Sequence, residues 1–281
     1  MAKISELNDT ASQVRRDILR MVHSAASGHP GGSLGCADYL VALFFEIMKH
    51  NPKNFTMNGI DEDVFILSNG HISPAYYSVL ARSGYFDIKE LGSFRKLGSR
   101  LQGHPTPDKN IPGVRIATGS LGQGLSVAIG AAMTKKLNND DALIYSLHGD
   151  GELQEGQIWE AIMFATAKKI DNLIATIDYN GKQIDGPVNE VLPLGNLKAK
   201  FEAFGWITLE MDGNNMEDIL HTFKMAKEQT SNEKPVVIIM KTEMGYGVDF
   251  MMGTHKWHGV APDDIQLKEA LCQINETIGD Y

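Results

Sequence analysis

Apolar residues along the chain fall in short continuous runs, and most runs end in a cluster that contains glycine. VFILS (64–68), ALIYSL (142–147), LIATIDY (173–179), WITLEM (206–211) and PVVIIMKT (235–242) are of strand length. The intervening stretches have a different rhythm. Segment 155–169 carries apolar residues at 158, 161, 162 and 165, which is helical spacing. Segment 122–137 is small and apolar and ends in TKK, while 215–230 opens with NNMED, a capping region followed by acids. Residues 5–25 and 36–49 also read as helices. Strands alternating with helices predict an α/β fold, a parallel β-sheet flanked by helices. Strands that are apolar at nearly every position fit a sheet buried on both faces.

The 281 residues, 43% of them apolar and 22% charged, suit a globular chain, read here as one domain over 1–281. A net charge of −9 argues against a protein built to grip nucleic acid. Cys36 and Cys272 lie too far apart for a metal finger or a disulfide framework. The opening MAKISELNDTASQVRR has no apolar signal core, and no run of 18 apolar residues would span a membrane. The cytoplasm is the expected location.

Glycine clusters in GHPGGSLG (28–35), SNGH (68–71), TGSLGQG (118–124), HGDG (148–151), NGKQIDG (180–186) and MGYG (244–247). Those that follow strands fall at carboxyl ends, where parallel sheets bind ligands. Asp150 stands just after one predicted strand and Asn180 just after the next, across a crossover of βαβ length. If the two strands are neighbours, a carboxylate and an amide oxygen converge. These are hard ligands suited to Mg²⁺, which completes its shell with phosphate oxygens and water; the turn after Asn180 adds a backbone carbonyl, expected from Lys182. TGSLGQG opens a helix and suits an anion, but it lacks the Rossmann glycine order and no strand runs into it, which excludes NAD.

Nine histidines divide into two groups. His23, His50 and His221 lie in or beside helical segments and read as packed or surface residues. His29, His71, His104, His255 and His258 sit beside glycine or proline in predicted loops. Their spacing does not match a zinc site. A shared pocket that binds hydroxyls and moves protons is the better reading.

SGHPGGSLG, LSNGH, LGSRLQGHP, GVRIATGSLGQGLS, GDGELQEGQIWEA, IDYNGKQIDG and MGYGV…THKWHG, in this order, resemble the N-terminal, thiamine-diphosphate-binding half of transketolase over about residues 10–265. The resemblance implies Mg²⁺ held by Asp150, Asn180 and the Lys182 carbonyl, with Gly151 letting backbone approach the diphosphate. It implies Gly119 and Leu121 beside the aminopyrimidine and Ile184 near the thiazolium. His71 and His258 would lie near the diphosphate and reaction centre. His29 and His258 would bind donor hydroxyls and move protons, and His104 would hold the terminal hydroxyl of the transferred two-carbon unit. Glu155 and Glu160 resemble acids that link two active sites across an interface. His255 aligns only loosely. The cofactor would act as an electron sink while a carbon–carbon bond breaks.

Two departures matter. His148 stands where the family has a small or aliphatic residue; it either reaches toward the diphosphate or faces solvent, the second being the simpler expectation. The pyrimidine-binding domain, with its activating glutamate and phosphate-binding arginines, has no counterpart in these residues and is expected on a separate chain. The resemblance therefore implies the N-terminal subunit of a split transketolase, acting on sugar phosphates with a separate C-terminal subunit in an α2β2 assembly. An exposed apolar surface is expected on the isolated chain. Rival readings are the α chain of a 2-oxoacid dehydrogenase, which lacks the SGHPGG and QGHP blocks, deoxyxylulose phosphate synthase, normally one long chain, and a non-catalytic diphosphate-binding module. Central pentose-phosphate and specialised sugar-degrading roles both fit the sequence.

Overall fold

The computed structural model describes residues 4–281. In chain order the elements are α1 (Ile4–Ser24), α2 (Pro30–Gly35), α3 (Ala37–Ala42), β1 (Val64–Leu67), α4 (Ser73–Arg82), α5 (Gly124–Leu137), β2 (Ile144–Gly149), α6 (Gly156–Ala167), β3 (Leu173–Tyr179), β4 (Lys182–Gln183), β5 (Gly186–Pro187), α7 (Val188–Val191), α8 (Leu197–Ala203), β6 (Ile207–Asp212), α9 (Met216–Glu228), β7 (Val236–Lys241) and α10 (Asp264–Gln273). Five strands form one parallel sheet in the order β1-β2-β3-β7-β6; β4 and β5 make a small antiparallel hairpin. All five strands expected from the apolar runs are present.

Alternation along each strand feeds two cores. Phe65, Leu67, Tyr145, Leu147, Ile174 and Ile238 pack toward α1, α3, α4 and α9. Val64, Ile66, Ile144, Ala175, Ile177 and Ile239 pack toward α5, α6 and α8. Fully burying each large aliphatic side chain stabilises the fold by about 1.5–3 kcal/mol. The NNMED cap forms as expected, with the Asn215 side chain accepting from the Glu217 (3.0 Å) and Asp218 (3.2 Å) amides.

Two local expectations need correction. GHPGGSLG is not all loop, since Pro30–Gly35 is helical and wholly buried. Its three glycines are poor helix formers, but tertiary packing requires them: a Cβ on Gly31 would lie 2.8 Å from the Trp257 carbonyl oxygen, and one on Gly35 2.9 Å from that of Glu243. The helix expected over 36–49 is α-helical only to Ala42 and then widens into a π turn, Leu43–Ile47.

The last residues lie along α1. Asp280 accepts from Gln13 (2.8 Å) and from Arg16 (2.9 and 2.8 Å), while Arg20 donates to the Tyr281 backbone oxygen (2.6 Å) and Arg82 to that of Gly279 (3.0 Å). Among the described residues no helix is long and apolar enough to cross a membrane.

Candidate active site

β2 and β3 are adjacent, parallel and in register, with Gly149 opposite Asp178. Their carboxyl ends bring Asp150 and Asn180 together. Asp150 accepts from the Gly151 amide (2.7 Å) and, across the strand gap, from the Gly181 amide (2.6 Å). Asn180 donates its side-chain NH₂ to Asp178 (2.8 Å), and its side-chain oxygen accepts from the Lys182 amide (2.9 Å). The side-chain oxygen of Asn180 is thereby turned away from Asp178.

Asp150 is 2% exposed, and its carboxyl is pushed up to about 7, first by burial and then by the neighbouring Asp178 carboxylate; the Gly181 and Gly151 amides pull the other way. Two desolvated carboxylates and an amide oxygen, with no cationic side chain bonded to them, fit a hard divalent cation. Among the described residues no group of three or more His, Cys, Asp or Glu is placed to hold a metal. A cation at Asp150 and Asn180 would therefore depend on a backbone carbonyl and an anionic ligand to complete its shell.

A cleft of about 280 Å³ opens beside this pair. Its walls include His29, His71, Gly119, Leu121, Gly151, Lys182, Ile184 and His258, so most of the candidate residues share one cavity with Asp150 and Asn180. Gly119 has φ +118°, and a Cβ there would lie 2.6 Å from the His104 ring. His104 packs against Gly119 and is not among the residues that line the cleft. Glu155 is exposed and lies beside Gly122, outside the lining, and Glu160 is exposed on α6. His255 lines a neighbouring hollow with Trp257 and Val260.

Four imidazoles cluster at one side. Ring centroids of His29 lie 5.1 Å from His71, 5.6 Å from His258 and 6.4 Å from His104; His71 and His258 are 5.3 Å apart. Burial, reinforced by the other imidazoles, lowers His71 to about 3; burial, His258 and the Arg95 guanidinium lower His29 to about 4. His104 and His258 are also lowered, chiefly by burial. At neutral pH the cluster is uncharged and able to accept protons. Nδ1 of His29 and of His258 are buried without a hydrogen-bond partner. His29 is held at the start of α2, where the Gly31 amide donates to the Trp257 carbonyl (3.0 Å) and the Gly245 amide to that of Gly31 (2.9 Å), locking the turn to the segment bearing His258. His23 and His50 do have ordinary structural partners: Asp264 (2.8 Å) for the first, and Tyr85 (2.9 Å) and the Phe44 carbonyl (2.7 Å) for the second.

His148 does not face solvent. β2 runs two residues beyond the apolar stretch, so alternation places position 148 with 144 and 146 on the face buried under α5 and α6. Its ring is fully buried, with Nε2 2.9 Å from the Ser146 hydroxyl and Nδ1 3.5 Å from a Glu152 carboxylate oxygen. Sequence reasoning also missed Asp178, Glu152, Ser68 and Asn69. Asp178 has a visible signal, a carboxylate inside the otherwise apolar LIATIDY. It receives hydrogen bonds from Thr242 and Asn180.

A parallel sheet whose carboxyl edge gathers hard oxygen ligands, glycine-lined backbone and a neutral imidazole cluster defines an α/β domain with a ligand-binding cleft at that edge. The family model of the transketolase thiamine diphosphate binding domain matches residues 7–274. The chain belongs to this family. It is 39% identical over 276 residues to one of the subunits of apulose-4-phosphate transketolase from Phocaeicola vulgatus, covering 98% of this chain and 96% of that one. It is 37% identical to the 6-deoxy-6-sulfo-D-fructose transketolase subunit SqwG of a Clostridium species, covering 96% and 97%. The crystal structure of transketolase from Campylobacter jejuni superposes with a TM-score of 0.89 at 40% identity, covering 97% of this chain and 43% of that one. The chain thus spans about two fifths of the full-length transketolases it matches, and nearly all of the relatives named as subunits.

Proposed function

We propose that the chain is the N-terminal subunit of a split transketolase, which moves a two-carbon ketol unit from a ketose phosphate to an aldose phosphate with a separate C-terminal subunit. The observation that carries this reading is the similarity to relatives named as transketolase subunits, 39% and 37% identical over 276 and 271 residues. Thiamine diphosphate with Mg²⁺ is the cofactor, and when bound it supplies the electron sink that lets the bond beyond the ketose carbonyl break. Asp150, Asn180 and the Lys182 carbonyl would hold the metal, and Gly151 would admit the diphosphate. Gly119, Leu121 and Ile184 would border its rings. His29 and His258 line the cleft and would bind substrate hydroxyls, each accepting a proton from a hydroxyl and returning it to an aldehyde oxygen. His71 would lie near the diphosphate and the reaction centre, and His104 would hold the end of the transferred unit.

The partner would bring the pyrimidine-binding domain and the phosphate-binding groups, in a cytoplasmic α2β2 assembly. Exposed apolar side chains favour association. Val127 on α5 and Met163 and Phe164 on α6 are 41%, 57% and 43% exposed. Ile184 and Val260, also exposed, line one hollow together, and Ile184 lies on the cleft wall as well.

The test is calorimetric titration of thiamine diphosphate with Mg²⁺ into the chain, alone and with the candidate C-terminal subunit, beside a ketol-transfer assay. Turnover is expected only from the mixture, and Asp150→Ala abolishes both binding and turnover. Full activity from the chain alone overturns the proposal.

A further inference from the structure

One buried carboxylate ties together three segments that border the cleft. Glu152 is 1% exposed and lies in the single turn Gly151–Gln154 that follows β2. One of its oxygens accepts from the Ser68 hydroxyl at the end of β1 and from the Gly122 amide (2.9 Å). The other accepts from the Gly149 amide (3.2 Å). Ser68 Oγ in turn accepts from the Gly124 amide (3.2 Å), the first residue of α5. His148 closes the remaining side, 3.5 Å from the same oxygen that Ser68 and Gly122 engage.

The segment 118–124 needs such an anchor. Gly119 and Gly122 both have positive φ, so the segment has little conformational preference of its own. It nevertheless presents Gly119 and Leu121 to the cleft. Its amide at Thr118 donates to the Pro105 carbonyl (3.1 Å); those at Gly122 and Gly124 both end on the Glu152–Ser68 pair. Burying a carboxylate is costly unless several donors surround it, and an apolar side chain would fill the same space at less cost. What the carboxylate adds is direction: it draws a hydroxyl and two backbone amides to one point.

We propose that Glu152, supported by His148 and Ser68, is a positioning residue that sets the 118–124 segment in its cofactor-receiving conformation before any cofactor arrives. The inference rests on the thiamine diphosphate reading for what the segment receives, but not for the anchoring itself.

Amide hydrogen exchange on the cofactor-free full chain tests it. Glu152→Gln keeps the shape but turns an NH₂ toward one of the donors. Exchange at Gly122 should quicken about tenfold to hundredfold, the loss expected for a hydrogen bond to a charged group, and exchange at Gly124, which is bonded to the neutral Ser68 hydroxyl, by a smaller factor. Amides of β3 should stay unchanged, which separates anchoring from general loosening. Thiamine diphosphate affinity, measured with Mg²⁺ and the partner present, should weaken by a similar factor. Ser68→Ala, a milder change that serves if Glu152→Gln does not fold, should quicken exchange at Gly124. Unaltered exchange at both glycines in folded variants overturns the proposal. Absence of thiamine diphosphate binding by the unmodified protein with its partner overturns instead the functional reading, because the exchange result is obtained without cofactor.

Discussion

Lowering the pH from 7 to 5 should remove a measurable contribution of His71 to the stability of the fold. The ring is surrounded by His29 and His258 and lowered to about 3, against an ordinary value of 6.5. In the folded protein it stays neutral across this range, while in the unfolded chain it takes up a proton below 6.5. The unfolded state therefore binds more protons, and stability rises with pH between about 3 and 6.5 and is fully present above that window. Each proton of difference corresponds to about 1.4 kcal/mol per pH unit, so His71 alone removes about 2 kcal/mol between pH 7 and 5. Carboxyl groups raised by burial, such as Asp150 and Asp178, act with the opposite sign, so total stability is a poor readout. The informative quantity is the difference between the unmodified chain and His71→Gln in urea unfolding at pH 7, 6 and 5. The unmodified chain should lose about 2 kcal/mol more than the variant over that range. Equal pH dependence in the two proteins, or an imidazole resonance of His71 that titrates near 6.5, would refute the reasoning.

Gly124→Ala should destabilise the fold by about 2–3 kcal/mol in urea unfolding, because its Cβ would lie 2.9 Å from Ser68 Cα, where backbone cannot yield, and closer still to Ser68 Oγ. Phe164→Lys, on the exposed face of α6, should reduce self-association or partner binding in sedimentation experiments while the melting temperature of the isolated chain moves by only a few degrees, about what a surface change costs. Asp280→Ala should cost about 1–3 kcal/mol, since it removes the acceptor shared by Gln13 and Arg16 and leaves a buried guanidinium short of a partner; thermal unfolding with and without added salt would show it.

The strands are legible in the sequence because central parallel strands leave continuous apolar runs, and their order in the chain places Asp150 and Asn180 at matching ends. The convergence of those two residues needs only adjacency of β2 and β3. Features that depend on distant packing are not legible. Pro30–Gly35 is helical although glycine disfavours helix, because Trp257 and Glu243 leave no room for side chains there. His148 reads as a residue past the strand, and only the two extra residues of β2 bury it. Glu152 meets Ser68 across 84 residues of sequence, and no local pattern announces such a pair. Asn69, buried with an unpartnered side-chain oxygen, is hidden inside the SNGH cluster because the glycine and histidine beside it carry the more obvious chemistry.

The clasp of the last residues on α1 has a consequence for how the protein is made. Arg16 and Asp280 are 264 residues apart, yet they are bonded in the finished fold. A ribosome adding about 5–20 residues per second takes about 15–50 s to produce the second after the first. Throughout that interval α1 has emerged without the carboxylate and backbone oxygens that engage Arg16, Arg20 and Arg82, and the amphipathic face it turns to the core is open to chaperones. A helix that leaves the exit tunnel early is thus secured only once residue 280 has been made, and nascent chains stalled before residue 280 should stay bound to chaperones longer than chains extended well past it.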